Sequence, residues 1–187
     1  MNGAQRHDFE ERVVFAGCRI AAVENRKECQ SYTVSLIQKG PTLLNAGGDS
    51  VARVITYGTY DLFHVGHLRL LQRAKALAGE DGWLIVGVST DRFNWVEKHK
   101  KSAIPYEQRA EIVAALKCVD EVIPEDDWDM KRDILQKKVD IFCMGSDWEG
   151  KFDFLKEVCE VVYLPRTEGI SSTDLKAGIR EGKAVAK

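Results

Sequence analysis

From residue 53 onward, five short apolar runs alternate with stretches of helical spacing, and this alternation limits the fold more than any other feature of the chain. The runs are Arg53 to Tyr57, Leu84 to Val88, Glu121 to Ile123, Asp140 to Met144 and Val161 to Leu164. Leu84-Ile85-Val86-Gly87-Val88 has no polar alternation, as expected for a strand covered on both faces. Between the runs, Leu68, Leu71, Ala74 and Leu77 recur at helical spacing, as do Ile112, Val113 and Leu116. Pro105 suits a first helical turn. Further helices are expected over Asp129 to Lys138, Phe152 to Val158 and Ser172 to Arg180. Strands alternating with helices specify an α/β domain: a doubly wound, five-stranded parallel sheet with helices on both faces and right-handed crossovers.

The turn-rich stretch Asn45 to Ser50 reads as a linker and divides the chain. Residues 51–187 form the α/β domain, and residues 1–50 form a small β-rich extension of no assigned role. In that extension Tyr32, Val34 and Leu36 alternate with Ser31, Thr33 and Ser35, the period of a half-buried strand.

Composition excludes several classes. A chain of 187 residues with 44% hydrophobic and 30% charged residues can bury a core. The net charge of -2 lacks the basic excess of a nucleic-acid binder. No apolar run reaches the ~20 residues of a membrane span, so no membrane insertion is expected. The first residues lack the apolar stretch of a signal peptide. The five cysteines form no CxxC pair, and Cys118 and Cys143 read as buried thiols. Together these features predict a cytoplasmic protein with no protein-held metal site.

In doubly wound sheets, ligands bind beyond the carboxyl ends of the strands, where strand order reverses. The residues at those ends are Gly58-Thr59-Tyr60-Asp61-Leu62-Phe63-His64-Val65-Gly66-His67, Ser89-Thr90-Asp91, Gly145-Ser146-Asp147-Trp148 and Arg166-Thr167-Glu168-Gly169-Ile170-Ser171-Ser172-Thr173. Glycines, hydroxyls, imidazoles and a guanidinium at helix starts are the chemistry of a phosphate site. His64 and His67 enclose Gly66, whose missing Cβ is expected to let an anion approach the backbone. Taken singly, each histidine reads as structural and Ser171 to Thr173 as helix caps. The clustering with Asp61 and Arg166 favours the phosphate reading. Lys98-His99-Lys100-Lys101 reads alone as a solvated face, and beside a triphosphate as a mobile cationic lid.

GTYDLFHVGH and RTEGISST, with STDRFN, YEQR, VDEVIPE, MGSDWEGKFDFLKE and CEVVYLPRTEGISSTDLK between and around them, resemble the cytidylyltransferase family of nucleotidyltransferases, and most closely its glycerol-3-phosphate-using branch. The similarity runs from about Val51 to Arg180. It implies a Rossmann-like nucleotidyltransferase fold. The implied reaction joins CTP and sn-glycerol 3-phosphate into CDP-glycerol and pyrophosphate, with Mg²⁺ accompanying CTP, in a homodimer that supplies a teichoic acid or related surface polymer. By position, Thr59, Tyr60, His64, Val65, Gly66, His67, Lys100, Asp147 and Arg166 to Thr173 (Thr167, Glu168, Gly169, Ile170, Ser171, Ser172) would meet CTP. Lys98 and Lys131 would hold glycerol phosphate, Asp61 and Arg109 would support the site, and His64, His67, Lys100 and Arg166 would be catalytic. The chain departs from the family pattern at Tyr60, Ser146 and Lys117, where Phe, Asp and Arg are common. A related cytidylyl or adenylyl transfer to another phosphorylated alcohol, such as phosphoethanolamine, is the nearest alternative. HVGH is also close to the HIGH motif of class I aminoacyl-tRNA synthetases. The short chain, its acidic balance and the lack of a KMSKS-like loop oppose that reading, and a nucleotide sensor without turnover is opposed by the full set of rim residues.

Overall fold

The computed structural model describes residues 51–183. The expected hairpin before residue 50 lies outside them. Five strands, β1 (Arg53–Gly58), β2 (Trp83–Ser89), β3 (Glu121–Glu125), β4 (Ile141–Gly145) and β5 (Glu160–Leu164), form one sheet in the order β3-β2-β1-β4-β5. Every pairing is parallel, with Ile55 level with both Ile85 and Phe142. The chain moves outward from β1 to β3, then returns to the far side of β1 at β4. The order therefore reverses between β1 and β4, and the crevice at their carboxyl ends is the expected ligand position.

Among the described residues, helices α1 (Val65–Ala78), α2 (Asp91–Val96), α3 (Tyr106–Ala114) and α4 (Met130–Lys137) occupy the crossovers, and α5 (Ser172–Glu181) follows β5. Alternate side chains of each strand point to opposite faces, and two cores result. On one face Val54, Leu84, Val86 and Cys143 pack against Leu71, Ala74 and Ala78 of α1 and Ala110 and Val113 of α3. On the other, Ile55, Tyr57, Ile85 and Phe142 pack against Met130 and Ile134 of α4 and against Phe152 and Leu155. Leu71 is wholly buried, and truncating such a residue to Ala costs about 2–5 kcal/mol.

The expected strands all form, four of them longer by one or two residues and β4 shifted by one. Two local expectations are corrected and one helix is added. Phe152 to Val158 is a tight 3-10 turn over Asp153–Glu157 rather than an α-helix. Pro105 lies just before α3 with ψ 153, and the Tyr106 N–H donates instead to the Asp91 carboxylate at 3.0 Å. Helix α2 had no apolar stripe to announce it; Thr90 caps it by accepting from the Phe93 N–H at 3.2 Å. Cys143 is buried, and its thiol is pushed up to about 12 by burial, whereas Cys118 is half-buried. Among the described residues no helix is long and apolar enough to cross a membrane.

Candidate active site

The turn after β1 builds the centre of the rim. Tyr60 and Leu62 have positive φ values of 52° and 48°, a conformation that costs a non-glycine residue free energy and persists only where surroundings enforce it. Two contacts enforce it here. The Tyr60 ring is buried in the core, 5.4 Å edge-on to His67, and a Cβ at Gly58 would lie 2.9 Å from it. The Asp61 carboxylate accepts from the Ala103 and Ile104 N–H groups at 2.9 and 3.0 Å and pairs with Lys176 at 2.6 Å. Burial alone would raise the Asp61 pKa, but the Lys176 ammonium and the two amides hold it below the usual carboxylate range. Asp61 thus ties the β1 turn to the loop before α3 and to α5. Lys176 itself carries no sequence motif, so only the fold brings it to this carboxylate.

His64 and His67 stack with ring centroids 3.9 Å apart and planes 21° apart. His64 is the N-cap of α1: its Nδ1 accepts from the Gly66 N–H at 3.1 Å. That bond requires an unprotonated Nδ1, so in the neutral ring Nε2 carries the proton. Nε2 faces the Ser172 hydroxyl at 3.4 Å, and that hydroxyl donates to the Asp61 carbonyl at 2.9 Å. Burial, then Arg166, keeps the His64 pKa below its ordinary value. Burial, then His64, pushes His67 down to about 4 against the opposing pull of Asp61. Both rings are therefore neutral at pH 7, and His67 Nδ1 is buried without a protein partner. Gly66 has a different task from the expected one. A Cβ there would stand 2.9 Å from the His64 ring and 3.3 Å from Ile170, so glycine makes room for the capping imidazole.

Two helix N-termini converge at this pair. Ser171 caps α5, accepting from the Asp174 N–H at 3.0 Å, and Ser172 reaches the β1 turn. Gly169, at φ 77°, makes the turn that delivers them. Arg166 is exposed and lies 3.7 Å from Asp147 across the ends of β5 and β4. Thr167 is half-buried, Glu168, Thr173 and Val65 are exposed, and Arg69, Gln72 and Arg73 of α1 border the same opening as Arg166 and Thr167. Arg69 and Arg73, four apart on one helix face, are rim cations that the motif reading did not include.

The lysines behave differently from the expected mobile lid. Lys98 is mostly buried: its ammonium lies 3.1 Å from Glu125 Oε2 and 2.9 Å from Ser89 Oγ, over the rings of Phe93 and Trp128. Ser89 Oγ also donates to Glu125. Burial lowers the Lys98 pKa, with Glu125 opposing, and burial raises that of Glu125, with Lys98 opposing. The segment after it is pinned: the Lys100 N–H donates to the Asn94 carbonyl at 2.9 Å, and Lys176 reaches the Lys101 carbonyl at 3.5 Å. The Lys100 side chain is exposed. Lys131, on α4, pairs with Glu157 at 3.2 Å in solvent.

Thr59 donates to Asn94 Oδ1 at 3.1 Å and stands 3.5 Å from Ser89 Oγ, joining the β1 turn to the lysine pocket. Arg109 is fully buried, donating to the Thr59 carbonyl at 2.5 Å, the Ile104 carbonyl at 2.8 Å and Asp91 at 2.6 Å. It shapes the loops and has no face left for a ligand. The Tyr60 ring is core, so its backbone is the part left to face the rim.

Comparisons with known proteins agree with this architecture. The cytidylyltransferase-like family model matches residues 55–178. The chain is 56% identical over 128 residues to glycerol-3-phosphate cytidylyltransferase of Bacillus subtilis (strain 168), covering 68% of this chain and 96% of that protein. It is 57% identical over 125 residues to the protein of the same name from Staphylococcus aureus (strain NCTC 8325 / PS 47), covering 66% and 92%. Among solved structures, the lipopolysaccharide core biosynthesis protein from Thermoplasma volcanium GSS1 superposes with a TM-score of 0.52 at 24% identity, over 63% of this chain and 98% of that one, a likeness of fold. With the sheet reversing at β1 and β4 and HVGH opening the helix beside it, the chain belongs to the cytidylyltransferase-like family.

Proposed function

We propose that this protein transfers CMP from CTP to sn-glycerol 3-phosphate, releasing CDP-glycerol and pyrophosphate. The observation that carries the reading is the convergence of two helix N-termini, α1 and α5, on a stacked, neutral histidine pair. Helix N-termini and N–H donors bind phosphate without the cost of burying a full positive charge. The names of relatives that match almost along their whole length support glycerol phosphate as acceptor over phosphoethanolamine.

A phosphate oxygen of the acceptor attacks the α-phosphorus of CTP. A new P–O bond forms as the bond to the β-phosphate oxygen breaks, and pyrophosphate carries away the electron pair. A phosphate oxyanion needs no general base, so catalysis consists of alignment and of donors aimed at oxygens whose charge changes. His64, through Nε2–H, and His67 face those oxygens. Val65 and Gly66 open α1 toward the triphosphate, and Thr59 lines the turn beneath it. Arg166, Lys100 and the Thr167 to Thr173 segment receive the departing pyrophosphate, Asp147 borders the nucleoside, and Lys98 and Lys131 hold the acceptor phosphate. Asp61 and Arg109 hold the loops. Mg²⁺ enters as the CTP chelate, with the triphosphate as its ligand. That accords with a rim whose buried carboxylates, Asp61 and Glu125, are already paired to lysines.

The product serves a teichoic acid or related surface polymer, made in the cytoplasm. A homodimer is proposed across β3, an edge strand of the described sheet whose VDEVIP sequence resembles the family's dimer contact.

The test is incubation of the full chain with CTP, Mg²⁺ and glycerol 3-phosphate. Equimolar CDP-glycerol and pyrophosphate are expected by mass spectrometry. Turnover of phosphoethanolamine at an equal kcat/KM, or none of either, overturns the assignment.

A further inference from the structure

Two aromatic faces and a buried carboxylate make a pocket suited to an alkylammonium ion. Such a pocket stands at the ends of β2 and β3. Phe93 and Trp128 meet edge to face with centroids 4.9 Å apart, and Glu125, 3% exposed, closes the third side. Trp128 is 40% exposed, so one wall of the pocket meets solvent. Its occupant is the chain's own Lys98, whose ammonium lies 4.6 Å from the Phe93 centroid and 5.3 Å from that of Trp128.

We propose that Lys98, by filling this aromatic-carboxylate box from within, excludes acceptors with cationic heads and restricts the enzyme to phosphorylated alcohols with neutral ones. The inference rests on the acceptor reading above and adds its selectivity. The box holds one carboxylate, and one ammonium neutralises it. A second cation would find the ring faces covered and a like charge beside it. Two of the three Lys98 N–H donors go to Glu125 and Ser89, which leaves one for an acceptor phosphate. Ser89 lies 3.5 Å from Thr59, so the box adjoins the β1 turn that holds the histidines.

The experiment compares wild type with Lys98→Ala, which empties the box, and Lys98→Met, which plugs it without charge. Lys98→Ser repeats the emptied box should the alanine variant not fold. Kinetics with glycerol 3-phosphate and phosphocholine are joined to a titration with tetramethylammonium chloride, followed by the Trp128 indole N–H resonance. Tetramethylammonium is expected to move that resonance in Lys98→Ala but in neither wild type nor Lys98→Met. The kcat/KM ratio of phosphocholine to glycerol 3-phosphate should rise about tenfold or more in Lys98→Ala through the gained cation site, since the lost phosphate contact lowers both acceptors alike. In Lys98→Met the phosphocholine rate should not rise. An unmoved indole in the emptied box, or loss of both acceptors by the same factor, overturns the proposal. Absence of CDP-glycerol synthesis by wild type would instead sink the proposed function, while the tetramethylammonium titration still judges the box.

Discussion

The histidine pair and the Lys98–Glu125 pair stand at the ends of adjacent strands and are held in opposite ways. The histidines are neutral, stacked on each other and fixed by one backbone cap, so they store no charge in the protein. Lys98 and Glu125 form an ion pair sunk to 15% and 2% side-chain exposure, each dependent on the other. Removing one member of a buried ion pair strands a charge, whereas removing a neutral ring strands none. The histidine side can therefore change in rate at a smaller cost in stability than the lysine side.

The largest effect that would sharpen this contrast is His67→Ala, which should lower kcat about 10²–10³-fold by analogy with loss of one oxyanion donor. Its urea midpoint should fall by less than that of Glu125→Gln; a larger fall would break the comparison. The contrast extends to pH. Burial, then His64, depresses His67 to about 4 in the folded protein, below the ~6.5 of an unfolded chain. The unfolded state therefore takes up the proton first. The stabilisation from a neutral His67 is complete above pH 6.5 and is lost as pH falls toward 4. It amounts to at most about 3 kcal/mol, and urea titrations of wild type and His67→Gln at pH 7 and pH 5 would measure it as a difference confined to the lower pH.

Glu125→Gln comes next. Stranding Lys98 should cost about 3 kcal/mol of stability, read in urea, and raise the acceptor KM while the CTP KM moves little. Equal changes in both KM values would mean that the pair shapes the whole rim rather than one side of it. Gly66→Ala should leave stability within about 1 kcal/mol, since α1 accepts alanine there. It should still lower kcat about tenfold, because the added Cβ displaces the His64 ring and so misaligns a donor. Smallest is Ser171→Ala, which removes the α5 cap at a cost of about 1 kcal/mol, visible in the melting temperature.

The sheet was legible because its strands are continuous apolar runs whose period and spacing are local properties. The rim loops were legible as a set because glycines, hydroxyls and imidazoles gather after those runs. What the sequence could not show depends on distant partners. Lys98 lies in a run of cations that reads as solvated, and only Glu125, 27 positions later, buries it. Asp61 reads as a site carboxylate, yet its partners Ala103, Ile104 and Lys176 come from loops and helices that no local pattern joins. Helix α2, at six residues, is too short to display a period. The stacking of His64 on His67 follows from the cap at Gly66 rather than from their spacing, and their neutrality follows first from burial.

The tie between Asp61 and α5 has a consequence for synthesis. The turn after the first strand is clamped by Lys176 and Ser172, the latter 111 positions downstream. A nascent chain that has released all five strands can pair its sheet but cannot yet close its rim. Competence for substrate therefore waits until α5 has left the ribosome and locks down the turn after β1.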